Sequence, residues 1–109
     1  MDYNAYRLMW IVAMFDLPVD TKKARRAYTQ FRKFLLQDGF AKMQFSVYAR
    51  FCASQDNADA HIRRVEDALP DDGEVRVLTI TEKQFGRMRI FQGKRRMPPE
   101  RAGAQLELF

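Results

Sequence analysis

Only one cysteine, Cys52, one histidine, His61, and one tryptophan, Trp10, occur in the 109 residues. A lone cysteine excludes an internal disulfide and any thiolate metal cluster, and it fits a reducing cytoplasm. A lone histidine excludes the paired-histidine metal sites and, with no serine and acid at supporting spacing, a Ser-His-Asp set. No phosphate-binding glycine loop and no GxGxxG are present. The longest apolar run, Leu8 to Phe15, is about half of what spans a bilayer, and Asp-Leu-Pro follows it rather than a small-residue cleavage site. Neither secretion nor membrane insertion is expected.

What is there is a basic chain with enough apolar residues for one core. Hydrophobic residues make up 47%, and 19 Lys and Arg against 14 Asp and Glu leave a formal charge of +5, with a pI near 9.7. The signs are segregated. Thr21 to Gln37 holds six cations and no anion, Lys83 to Arg101 holds seven cations, and Asp56 to Glu74 holds seven acids against Arg63 and Arg64. A polarised, basic surface favours a polyanionic partner.

The run Leu8 to Phe15 is uninterrupted, bulky and closed by Asp16 and Pro18, so it reads as a strand buried on both faces. Pro18 forces a turn. That turn presents the Asp16 carboxylate at a strand end, beside the start of the next helix. Asp20 or Thr21 caps this helix and Asp38-Gly39 stops it. Ala24, Ala27, Tyr28, Phe31, Phe34 and Leu35 form its inner face, and Leu36 interrupts the polar one.

Phe40 to Phe51 alternates apolar and polar residues, as one long strand or as two parted by a reversal near Gln44 to Ser46. Ser46, Tyr48 and Arg50 share one side of it, as a phosphate-facing row or as plain sheet surface. A second helix runs from a Ser54 or Asp56 cap to about Leu69, with Ala58, Ile62, Val65 and Leu69 inward. Glu74 to Thr81 and Phe85 to Gln92 read as strands. The order is that of an α+β, ferredoxin-like βαββαβ sandwich over residues 1–94 with extra C-terminal strands. Residues 95–109 form a basic tail ending in QLELF. A surplus strand needs an edge to pair with, and a second subunit is the simplest supply, which predicts a homodimer.

Asp16 is the first candidate for chemistry. It is either a turn former bonded to nearby amides or a metal ligand. Alone it is a poor Mg2+ site; a twofold axis would bring two copies to one shared ion, able to activate water against phosphorus. The second candidate is the one-signed face of Lys22, Lys23, Arg25, Arg26, Arg32 and Lys33, which suits sequence-independent phosphate binding. Lys94, Arg95, Arg96 and Arg101 extend it or simply solubilise the tail. His61 has no partner at ligand spacing and reads as a surface or partly buried residue. Cys52 reads as a small hydrophobe at a strand end.

The segments VAMFDLP, TKKARRAYTQFRKFLLQDGF and MQFSVYARF resemble the first strand, first helix and Q-aromatic-Ser-Val-aromatic strand of the CRISPR-associated protein two family. That resemblance runs from about Trp10 to Phe51, and more loosely through EVRVLTIT and QFGRMRIFQG. It implies a cytoplasmic, bacterial or archaeal homodimer with magnesium-dependent endonuclease activity on RNA or DNA, in which Asp16 is both catalytic and the metal ligand. The family often has tyrosine before that aspartate; Phe15 stands here. The resemblance also implies a role in spacer acquisition, bridging two dimers of the CRISPR-associated protein one integrase across double-stranded prespacer DNA. Arg25, Arg26, Arg32 and Lys33 match a generally basic first helix of the family. A toxin-like ribonuclease, or a module binding single-stranded RNA, is the competing reading on the same fold.

Overall fold

A computed structural model describes residues 7–100. Strand β1 (Met9–Asp16) is the centre of a four-stranded antiparallel sheet in the order β2-β3-β1-β4, with β2 at Ala41–Gln44, β3 at Val47–Cys52 and β4 at Glu74–Thr81. Helices α1 (Lys22–Gln37) and α2 (Gln55–Asp67) cross over between parallel strand pairs, as the ferredoxin-like reading expects. Both neighbours of β1 are antiparallel to it, with Ala13 opposite Tyr48 and Val77.

Burial of β1 on both faces follows from its unbroken apolar run. Met9, Ile11, Ala13 and Phe15 face the helices and pack with Phe31, Leu35, Tyr48, Ala58 and Val65. Trp10 and its even-numbered neighbours face the other way, where Trp10, Ala49 and Phe85 form a smaller core flanked by Val12, Met43, Phe51 and Ile80. Leu78 on this second face is 48% exposed.

Helix α1 starts where Thr21 Oγ1 accepts the Ala24 amide and ends at Asp38, whose amide bonds back to Phe34 O, before Gly39 with φ of +92°. Helix α2 is capped by Ser54. It stops at Asp67, two residues short of the expected end, and this leaves Leu69 45% exposed instead of inward.

Phe40 to Phe51 resolves into two strands with the reversal at Phe45 and Ser46, and the pairing slips between Lys42 and Gln44.

The expected strand Phe85 to Gln92 is corrected. Thr81 and Gln84 form a capping box that starts a short helix, α3 (Glu82–Gly86), and this drives Phe85 onto Trp10 with rings 4.0 Å apart and 7° from parallel. Burial of that aromatic pair overrides the strand propensity of the segment. Only Ile90–Gln92 (β5) is extended, and it pairs with Arg95–Met97 (β6) through a turn at Gly93, so it finds its edge within the chain. The QLELF segment lies outside the described residues.

Candidate functional site

Asp16 ends β1 as its one exposed residue. Strand alternation sends its side chain to the face of Trp10, Val12 and Met14, away from α1. The start of α1 is held by other residues. There the cap is Thr21, and the acid lining the adjacent groove of about 420 Å³ is Asp20, with Asp71 and Asp72 beyond it. The turn-former reading fails as well: among the described residues no hydrogen bond or ion pair reaches the Asp16 carboxylate. Glu74 lies directly across the β1/β4 pair from Asp16. Like charges so placed repel. Arg76 relieves this by donating to Glu74 Oε1 at 2.6 Å, which holds the Glu74 carboxyl below its ordinary range. Asp16 keeps no such partner.

Among the described residues no group of three or more His, Cys, Asp and Glu side chains is placed to hold a metal ion. A Mg2+ ion, however, keeps several waters and needs as few as one or two carboxylates. The unpaired, exposed Asp16 fits such an ion as one ligand, and the set is incomplete within a single chain.

The cations of α1 are all exposed. At about 100° per residue, Lys22, Arg25, Arg26, Arg32 and Lys33 share an arc of roughly 120°. Lys23 lies about 60° outside it, lining the groove with Asp20, Asp71 and Asp72. Lys22 and Lys23 occupy the first turn, which carries no acid, and the last turn carries no base. That arrangement opposes the helix dipole and costs stability. Two arginines are already oriented: Arg25 Nη1 donates to Val19 O at 3.0 Å, and Arg32 Nε donates to Tyr48 Oη at 2.9 Å. Such fixed guanidinium groups lose less freedom on meeting a phosphate.

Ser46, Tyr48 and Arg50 do share a side, but it is the helix side, so they are not an open phosphate-facing row. Tyr48 is buried, Ser46 Oγ lies 3.2 Å from Tyr28 Oη, and Arg50 donates to the Asp38 and Phe51 carbonyls at 2.8 Å. His61 is not isolated either. Its Nδ1 lies 2.8 Å from Asp38 Oδ2, and Arg64 Nε reaches Oδ1 of the same carboxylate at 2.6 Å. Asp38 is the acid that stops α1, so its partners lie more than 20 positions away and helix spacing could not reveal them. Cys52 is buried, and burial pushes its thiol up from the ordinary range.

Residues the sequence did not single out are Lys42 and Phe45. Phe45 is 78% exposed at the β2/β3 turn, with Lys42 Nζ 5.8 Å from its ring centre.

Residues 9–88 match the family described as CRISPR associated protein Cas2. The chain is 56% identical over 101 residues to a protein of Parvibaculum lavamentivorans, covering 93% of this chain and all of that one. It is 49% identical to one of Flavobacterium psychrophilum, over 97% of this chain and 92% of the other. It is 52% identical to one of Paracidovorax avenae, over 97% and 98%. Each of the three is named CRISPR-associated endoribonuclease Cas2. Matched across its central strand, basic helix and sheet, the chain belongs to the Cas2 family of CRISPR-associated proteins.

Proposed function

We propose that the protein is a spacer-acquisition subunit. As a homodimer it holds double-stranded prespacer DNA on α1 and joins the CRISPR-associated protein one integrase, with two integrase dimers bridged by one dimer of this chain. The observation that carries the reading is the pairing of a one-signed basic arc on α1 with a partnerless carboxylate at the end of the central strand. A helix that sets Lys22 and Lys23 against its own dipole sacrifices stability, and a phosphate backbone would repay it.

The sheet face opposite α1 and α2, covered only in part by α3, supports the homodimer. Leu78 is half exposed there, beside the partly buried Val12, Met43, Phe51 and Ile80. Asp16 lies at the rim of this face, so two chains meeting on it through a twofold axis bring two Asp16 carboxylates toward one another. The endoribonuclease names of the relatives support a second, weaker activity at that place: metal-dependent phosphodiester hydrolysis. A divalent ion held by the two Asp16 residues would supply Lewis acidity at the scissile phosphate. Arg25, Arg26 and Arg32 would hold the flanking phosphates.

Mixing the purified protein with the integrase subunit and a labelled duplex tests the main reading. One co-eluting assembly of all three, lost when Arg25 and Arg26 are replaced by Glu, is the expected result. Binding of single-stranded RNA without any integrase association would instead favour the toxin-like ribonuclease or RNA-binding reading.

A further inference from the structure

Among the described residues Phe45 is the most exposed of the large hydrophobic side chains, yet its surroundings are fixed. Its ring stacks on Tyr28 of α1 at 6.3 Å and 24°. Lys42 Nζ sits 5.8 Å from the ring centre. The next residue, Ser46, holds φ of +61°, a left-handed conformation uncommon outside glycine. Two contacts clamp Ser46 there: its hydroxyl meets Tyr28 Oη at 3.2 Å, and its carbonyl accepts the Phe15 amide at 3.0 Å.

That last bond ties the turn to the end of β1, one residue before Asp16. Arg32 joins the same neighbourhood through Tyr48, which stands opposite Lys42 in the β2/β3 pair. A flat aromatic in solvent, stacked on Tyr28 and flanked by the Lys42 ammonium, has the composition of a nucleobase-stacking platform. A turn ordinarily selects Gly, Asn, Asp or Ser, and phenylalanine adds nothing to its geometry. The stack on Tyr28 also puts the ring on the helix side, which the proposed pairing through the opposite sheet face would leave uncovered.

We propose that Phe45 stacks on an unpaired base of a single-stranded nucleic acid and so positions the strand whose phosphates meet the α1 cations. This rests on the nucleic-acid reading above and adds to it a preference for unpaired bases at one defined point. Phe45 is a positioning residue, with no part in bond breaking.

The test uses a single-stranded RNA carrying 2-aminopurine, whose fluorescence falls when the base stacks on an aromatic ring, beside a fully paired duplex without the probe. Wild type and Phe45→Trp should quench the probe. Phe45→Ala should abolish quenching and weaken the single strand by roughly tenfold, leaving duplex affinity within about twofold. Arg26→Glu should weaken both nucleic acids. Unchanged quenching and affinity in Phe45→Ala, with Arg26→Glu still defective, overturns the stacking assignment alone. Equal loss of both nucleic acids in Phe45→Ala overturns it too. No binding by the wild-type protein overturns the nucleic-acid reading and this inference with it.

Discussion

Gly73 lies against Asp16 so closely that a Cβ on Gly73 would stand 2.8 Å from the Asp16 carbonyl oxygen and 2.7 Å from Leu17 Cδ2. Its φ is +95°, which side chains other than hydrogen rarely accept. The turn after α2 is therefore fitted to the strand end that presents the candidate carboxylate. Gly73→Ala combines backbone strain with a backbone clash, and should cost about 2 kcal/mol or more in urea unfolding. Gly93→Ala meets no neighbour within 4 Å and carries only the strain of its φ of +62°. Equal losses at the two sites would contradict this account of the Gly73 contact.

The buried Asp38 carboxylate is served by His61 and Arg64 together, and its side chain is only 3% exposed. Asp38→Ala strips both partners and should cost about 2–4 kcal/mol. Arg64→Ala removes a side chain that is 62% exposed and leaves the His61 contact, so it should cost below about 1 kcal/mol. Thermal unfolding of the two variants in one buffer distinguishes them.

Phe85→Ala should cost about 3–5 kcal/mol, because it empties the space above the indole and opens the smaller core. Trp10 is the sole tryptophan and reports directly on the change. Its indole Nε1–H donates to Glu82 Oε2 at 2.6 Å, on the same short helix as Phe85. Loss of stability should come with a red shift of emission in the folded variant.

For Cys52 the raised thiol pKa means that folding favours the protonated form. The stabilisation is complete below the ordinary thiol range and is lost as pH climbs through and beyond it, from about pH 8.5 upward. The folded protein should react with a thiol reagent only as fast as it opens, and adding denaturant should release the thiol. Rapid reaction at neutral pH without denaturant would show that the site is not closed.

How much of this was legible in the sequence depends on how local each signal is. The eight-residue apolar run declared β1 buried on both faces, and Thr21 and Asp38-Gly39 marked the ends of α1 to within a residue, because caps act on their own neighbours. Phe85 was misread as strand since its partner, Trp10, is 75 positions away. The Asp38 to His61 contact was hidden for the same reason. Asp16 was legible as an exposed carboxylate at a strand end, whereas the side of the sheet it faces followed from register. Phe45 was hidden within an alternating pattern whose apolar members ordinarily point inward.

The phosphate role proposed for α1 would have its own signature in salt. Replacing Arg26 by Ala should weaken duplex DNA uniformly across sequences and reduce the slope of log affinity against log salt by about one. An unchanged slope would remove Arg26 from the phosphate contacts.

The central claim is that α1 carries the function and the Asp16 carboxylate a secondary activity. Integration of a labelled duplex into a CRISPR array, with the integrase subunit present, tests this most directly. The account predicts near wild-type integration by Asp16→Asn and none by the protein with both Arg25→Glu and Arg26→Glu. Loss of integration in Asp16→Asn while DNA and integrase binding persist, or full integration by the charge-reversed protein, would contradict it.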